Sequence, residues 1–278
     1  MNAQELGKFV CYRDAILLSP ICEGRGRVHT FTPWHEYTDG APLRNGARWQ
    51  GKAIRISGGV NGGYVDTHYL GPLCRLHGAW MRYTVATMFK TSTDVLTSQF
   101  IYEEGGGING LNIYIRDGKV FCGEWINVDE ANAGNAKYSF LAMKINLNKK
   151  YFIANVFEAY KRHSAFLNYI KHAEVTISWR MLPHGGTCQF GRSSGDTVTD
   201  ISAQTERGYG IRDSFNGLLF GLFIWEKALN DSEVKSACYY ATKKPKPTCV
   251  TRRGVYQAVK NTGIEVDGNL VRCTEAMV

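Results

Sequence analysis

The sequence predicts an all-β jelly-roll sandwich of two antiparallel sheets, with one short late helix and a small β appendage after it. Three observations lead there. Short segments alternate in hydrophobicity between turn signals, as half-buried strands do. The composition sets 30 glycines beside 15 tyrosines and 13 phenylalanines, a mixture suited to strands joined by tight turns. One segment alone carries a full set of helix signals.

Taken in order, residues 1–50 are an N-terminal extension that contributes the first strands. A short helical stretch over Gln4–Val10 precedes an apolar patch, Ala15–Ile21. Residues 51–241 form the sandwich. Ala53–Ile56 and Tyr64–Thr67 read as two short strands around a glycine turn. In Met81–Phe89, Met81, Tyr83, Val85, Thr87 and Phe89 share one face, and the other face is also half apolar, as in a central strand. Leu111–Val120 is a hairpin whose Asp117-Gly118 supplies the positive φ of a tight turn. Strands follow at Leu141–Ile145 and Tyr151–Ala159, then a hairpin from Ser164–Ile170 and Ala173–Ile177. Thr187–Gly191 and Gly217–Trp225 complete the set, the last placing Leu218, Phe220, Leu222 and Ile224 on one face.

The helix begins at Asn230, a cap residue, with Glu233 placed to reach back in a capping box. Val234, Ala237, Cys238 and Ala241 make its apolar face, and Lys243-Lys244-Pro245 closes it. Residues 242–278 are a basic C-terminal β extension with short strands near Val255, Gly263 and Leu270. From Tyr240 onward the chain has seven basic residues against three acids.

The formal net charge is +8 and the pI about 9.0, which favours acidic partners. Aromatic interleaving in the basic extension is sparse, so nucleic acid is an unlikely partner by this reading. No apolar run reaches the roughly 18 residues of a membrane span, and no signal peptide is recognisable. The eight cysteines include no C-x-x-C pair, which removes zinc-ribbon and thioredoxin readings and favours reduced, partly buried thiols.

Catalytic patterns fare poorly. Glu124 and Glu130 are the nearest approach to paired glycosidase acids, yet on one extended strand they stand about 20 Å apart at about 3.3 Å per residue. A retaining pair needs about 5–5.5 Å. The expectation for Glu124 is a strand end beside a solvated acidic loop. Gly191-Arg192-Ser193-Ser194-Gly195 matches a nucleophile elbow, but the segment after it is β-rich and every histidine precedes Ser193. There remains a rim of aromatic and polar residues on loops: Trp34, His35 and Tyr37, then Trp125 and Asn127, then Tyr209 and Arg212. Aromatic faces beside amides and charges suit sugars and protein hot spots alike.

From Gly51 to Val234 the chain resembles the laminin-G-like members of the concanavalin A-like lectin/glucanase superfamily. The stretches that carry the resemblance are GKAIRISGGVNGGYVDT, MRYTVATMFKTS, GLNIYIRDGKVF, FLNYIKHAEV, CQFGRSS and, most specific, FNGLLFGLFIWEKALNDSEV. The resemblance implies a concanavalin A-like sandwich. It leaves activity open, because lectins, protein-binding modules, virion modules and glycan-cleaving enzymes share the fold. It also implies calcium as a common rim cofactor, for which Asp66, Asp94, Asp129 and Asp213 are the candidate oxygens, with no Asp-x-Asp run among them. The leading expectation is a non-enzymatic recognition or assembly module. Its partners would be a glycan or protein neighbours, including copies of itself, in a particle such as a virion. A laminarinase-like glycan-cleaving enzyme and a free lectin are the rivals.

Overall fold

A computed structural model describes residues 14–21, 23–31, 36–67, 81–126, 137–182, 187–193, 195–201, 204–211 and 213–242, and four short strands beyond them. In chain order the strands are β1 (Ala15–Ser19), β2 (Val28–Phe31), β3 (Glu36–Ala41), β4 (Leu43–Arg44), β5 (Arg48–Trp49), β6 (Ile54–Ile56), β7 (Gly59–Val60), β8 (Tyr64–Val65), β9 (Arg82–Thr91), β10 (Gln99–Gly105), β11 (Asn109–Arg116), β12 (Lys119–Ile126), β13 (Lys137–Lys144), β14 (Lys150–Glu158), β15 (Arg162–Leu167), β16 (Ile170–Val175), β17 (Thr187–Phe190), β18 (Gly195–Ile201), β19 (Gln204–Ile211), β20 (Asp213–Ser214) and β21 (Gly217–Trp225). Helix α1 spans Asp231–Thr242.

Two large sheets face each other. One has ten strands in the order β16-β15-β14-β9-β21-β1-β2-β3, with β6 on β21 and β5 on β6. The other has nine in the order β13-β12-β11-β10-β17-β8-β4, with β20 and β7 beside β10. Pairing is antiparallel throughout except between β10 and β20. This is the predicted mostly-β sandwich of two antiparallel sheets. Asp117 and Gly118 hold positive φ (50° and 71°) in the tight turn between β11 and β12, as their sequence predicts.

Three apolar clusters follow from strand alternation. Between the sheets lie Val85, Phe89, Ile113, Ile153, Phe190 and Ile224, among many others. On the outer face of the ten-stranded sheet Phe152, Phe166, Phe223 and Trp225 meet the helix residues Val234, Ala237, Cys238 and Ala241. The helix is seated by its capping box: the Asn230 N–H donates to Glu233 Oε2 at 2.9 Å, and the Glu233 N–H to Asn230 Oδ1 at 3.0 Å. Thr84 Oγ1 receives the Leu229 N–H at 3.0 Å and donates to the Lys227 carbonyl at 2.7 Å, tying the loop before the helix to β9. The third cluster, Phe100, Tyr114 and Phe121, lies outside the nine-stranded sheet.

Three expectations need correction. Strands β6 and β8 do not pair across a glycine turn. They enter different sheets, so the glycine segment crosses between layers, and its backbone packs so closely that a Cβ on Gly62 would strike the Ser57 carbonyl. Met81 is exposed, because β9 begins after it. In β21 a bulge between Leu219 and Gly221 shifts the alternation. Leu219, Leu222 and Ile224 therefore face the interior, while Phe220 is half-buried on the outer side under the Lys150 ammonium, 4.0 Å from its ring centroid.

The interior also holds a chain of polar side chains that links the two sheets. Glu124, expected at a strand end beside a solvated loop, is fully buried between them. Register places it in one row across five strands, Cys188–Glu104–Leu111–Glu124–Ser139. From the facing sheet, the Tyr83 hydroxyl donates to Glu124 Oε2 and Asn155 Nδ2 donates to Oε1 at 2.6 Å. With its amide nitrogen so committed, Asn155 Oδ1 accepts from the His163 Nε2–H at 2.8 Å, which leaves Nδ1 to accept from the Ser139 hydroxyl at 2.6 Å. Each buried group thus has a partner, the condition under which such a chain is tolerated. Burial pushes the Glu124 carboxyl up to about 8, against the two hydrogen bonds that pull it down, and Glu104 adds to the rise. Burial pushes His163 down to about 3, so its ring is neutral.

Two outcomes are expected. Leu222→Ala should lose about 2–5 kcal/mol of unfolding free energy, and Phe220→Ala less than half of that, read from urea midpoints; equal losses would contradict the bulge. The second concerns pH. A raised carboxyl favours the folded state below its unfolded pKa of about 4.3 and loses that advantage as pH rises toward 8. A depressed imidazole favours it above about 6.5 and loses the advantage as pH falls toward 3. Stability should therefore decline between about pH 6.5 and 8, where of these two groups only Glu124 changes charge. Glu124→Gln should flatten that limb of a midpoint-against-pH curve.

Candidate binding face

The nine-stranded sheet turns a second, chemically distinct face outward. In β12, Val120, Cys122 and Glu124 point in, so Lys119, Phe121, Gly123 and Trp125 point out. Paired register extends each outward residue into a row. One row is Gly105–Gly110–Trp125–Tyr138, the next Gln189–Glu103–Asn112–Gly123–Phe140. Then come Phe100–Tyr114–Phe121–Ala142 and Arg116–Lys119–Lys144.

Aromatic rings dominate the middle. Tyr114 stacks on Phe121 with centroids 4.7 Å apart and planes 5° apart, on Phe100 at 5.5 Å, and takes the edge of Phe140 at 6.5 Å. Two glycines make the floor flat. A Cβ on Gly110 would meet the Trp125 ring at 2.5 Å, so the indole lies across β11 only because that residue is glycine. A Cβ on Gly123 would collide with Asn112 Oδ1 and with the Phe140 ring.

The hairpin β18–β19 roofs part of this face. Asn112 Nδ2 donates to the Val198 carbonyl at 2.7 Å and to Thr197 Oγ1 at 3.0 Å, and the Asp200 N–H donates to the Tyr114 hydroxyl at 2.9 Å. Thr197 and Val198 are fully buried against it. Burial holds the Tyr114 phenol above its ordinary range. Away from the roof, toward the edge strand β13, the face opens: Phe140 is half-buried, and Tyr138, Ala142, Lys119 and Lys144 are exposed.

The residues picked from the sequence fall unevenly. Trp125 is on this face but is no rim side chain; it is buried, its indole Nε1–H donating to the Gly106 carbonyl at 2.8 Å. Asn127 and Arg212 lie outside the described residues, as do Trp34 and His35. Tyr209 is in β19, opposite Asp196, in the hairpin whose other strand, β18, lies against β10, β11 and β12. Tyr37 is in β3, the last strand of the other sheet. Phe121, Tyr138 and Phe140 were not singled out, although the alternation in their strands, Val120–Trp125 and Lys137–Lys144, marks them.

The calcium candidates among the described residues do not gather around one site. Asp94 spends its carboxylate on its own turn, taking the Leu96 N–H at 2.7 Å and the Thr97 hydroxyl, which lowers its pKa. Asp66 pairs with Arg44 at 3.2 Å, Asp213 is raised by burial, and Asp129 lies outside the described residues. Among the described residues no three His, Cys, Asp or Glu side chains gather to hold a metal ion. Ser193 is buried in a strand-to-strand turn at Gly191, with no helix after it to make an elbow. Among the described residues no helix is long and apolar enough to cross a membrane.

No protein-family model and no curated protein matches the chain. Solved structures of similar fold do exist. One comes from work on botulinum neurotoxin type C and its interaction with two ganglioside molecules: TM-score 0.56, 10% identity, 87% of this chain and 54% of that one. Another is the botulinum neurotoxin serotype D binding domain: TM-score 0.55, 14% identity, 84% of this chain and 52% of that one. A third is the neurotoxin DC binding domain in complex with rat synaptotagmin II: TM-score 0.52, 11% identity, 87% and 54%. The chain spans about half the length of these structures. At such identities the likeness is one of fold.

Proposed function

We propose that this chain is a non-catalytic recognition module of laminin-G type within the concanavalin A-like superfamily, and that it takes a glycan on the outer face of the nine-stranded sheet. The observation that carries the reading is the accessible edge of the stacked aromatic layer: Phe140, half-buried, beside the exposed Tyr138 on β13, backed by the buried rings of Tyr114, Phe121 and Phe100. Flat apolar rings beside amides complement a sugar, whose ring is apolar on its faces and polar at its edge. The solved structures of like fold carry titles that name gangliosides, a sialylated ligand ("SialylT") and synaptotagmin II, which agrees with a binding role.

The placement of acids supports the non-catalytic part. Glycoside hydrolysis needs two carboxyl groups flanking one bond. On the outer face Glu103 stands in a row between the amides Gln189 and Asn112. Glu104 and Glu124 point to the other side, into the interior. The Ser139–His163–Asn155 chain has the order of a nucleophile relay, but it lies between the sheets, and an imidazole depressed to about 3 is a poor base near neutral pH.

Assembly into a larger particle such as a virion is the finer part of the proposal. It rests on the basic segment after the helix. Its described strands form two small hairpins, Cys249–Arg252 with Val255–Ala258 and Glu265–Val266 with Asn269–Leu270, and pair with neither large sheet. Short strands with open edges suit addition to another chain.

Phe140→Ala should weaken binding at least tenfold to whichever sugar gives the strongest signal on a glycan array, with an unchanged circular dichroism spectrum. Unchanged affinity would move the site elsewhere. Release of reducing sugar that Glu103→Gln abolishes would overturn the non-catalytic reading. Truncation after Thr242 should leave the sandwich folded and reduce self-association or particle incorporation, measured by sedimentation; normal assembly would remove the arm role.

A further inference from the structure

Beside the aromatic layer lies a row of three cations. Arg116 is directly opposite Lys119 in the β11–β12 pairing, and Lys119 is directly opposite Lys144 in the β12–β13 pairing. Adjacent strands stand about 4.8 Å apart, so the three cations line up over about 10 Å. Like charges set directly opposite one another destabilise a sheet unless an anion lies between them. Arg116 has a partial answer in Asp117, 3.5 Å away at an exposed position. Lys119 and Lys144 are exposed and make no ion pair with a described residue. Asp200, in the roof hairpin, lies near the Tyr114 hydroxyl one row away, and the loop of Asp94 is bonded through Val95 and Leu96 to the turn at Asp117 and Gly118. The same end of the sandwich holds a second opposed pair, Lys90 and Lys150 on β9 and β14. Backbone bonds lace this end together: the Ile145 N–H meets the Gly118 carbonyl at 3.0 Å, and the Asn148 N–H the Ser92 carbonyl at 3.0 Å.

Position along the strands decides what such a row can select. It is two residues, or about 7 Å, from the Tyr114–Phe121–Ala142 row and on the same face. A ligand lying along β12 and β13 therefore meets apolar rings first and fixed positive charge next. We infer that the occupant of this face is an anionic polysaccharide, one sugar resting on the half-buried Phe140 ring while the carboxylate or sulfate of a sugar farther along the chain sits between Lys119 and Lys144. This deepens the glycan reading and rests on it. A single-stranded nucleic acid would also bring anions and rings. It needs successive exposed aromatics on which to stack bases, and here Tyr114 and Phe100 are buried and Phe121 is nearly so.

The experiment titrates the full chain with dextran sulfate, neutral dextran and oligo-dT, with Lys119→Glu, Lys144→Glu and Phe140→Ala as variants. The expected result is salt-dependent binding of dextran sulfate, tighter than that of oligo-dT, weakened at least tenfold by Lys119→Glu or Lys144→Glu. Each charge reversal should also leave the unliganded melting temperature unchanged or raise it, because it replaces a repulsion with a pairing; this separates loss of the site from loss of the fold. Equal binding of dextran sulfate by wild type and the charge variants would overturn the inference, as would tighter, row-dependent binding of oligo-dT. If Phe140→Ala weakens neutral dextran while the charge variants alter nothing, the charge inference fails and the glycan face stands. If Phe140→Ala alters no sugar binding at all, the face itself is wrong.

Discussion

A carboxyl group buried between two sheets constrains much of this molecule. Glu124 cannot be ionised cheaply where it sits, and its two oxygens need hydrogen-bond donors from the facing layer. Tyr83 and Asn155 supply them from β9 and β14 of the other sheet. Asn155 then orients His163, and His163 orients Ser139 on the edge strand β13. Apolar packing between sheets is tolerant of sliding. A chain of directed bonds is not, and this one fixes how β12 and β13 lie over β9, β14 and β15.

That registration matters for the outside because one strand serves both sides. Residues of β12 alternate between the interior chain and the outward aromatic row, so Glu124 sits between Gly123 and Trp125 in sequence and on the opposite face in space. Fixing the inner residues fixes the height and spacing of Phe121 and the flat seat of Trp125 over Gly110. The aromatic layer is therefore held by an ordered sheet and not by loops, which would limit the entropy lost in the proposed binding.

The two outer faces are treated differently. The ten-stranded sheet is covered by α1, seated by its capping box and bordered by ion pairs that join Arg162, Glu158, Glu174, Lys171 and Asp231. These pairs are partly exposed and each contributes at most about 1 kcal/mol; the apolar contacts of Phe166, Phe223 and Trp225 with the helix do most of the covering. Among the described residues the nine-stranded sheet is covered by a hairpin roof, attached through Asn112 and Tyr114, while Tyr138, Ala142 and Lys144 on β13 are exposed.

The sequence by itself determined what depends on neighbours in the chain. Asp117-Gly118 sets a turn through local φ, Asn230 and Glu233 cap a helix three residues apart, and the alternation in Tyr83–Phe89 marks a strand with two apolar sides. Tertiary structure alone decided the rest. A bulge displaced Phe220 from the face its position implies, since register belongs to a pair of strands. The burial of Glu124 and Trp125 was invisible because their cover comes from far along the chain: Tyr83 is 41 positions from Glu124, Asn155 is 31, and the Gly106 carbonyl is 19 from Trp125. The outward rows of rings and cations were equally hidden. Each residue stood in plain alternation, but only pairing across β11, β12 and β13 set Arg116, Lys119 and Lys144 side by side.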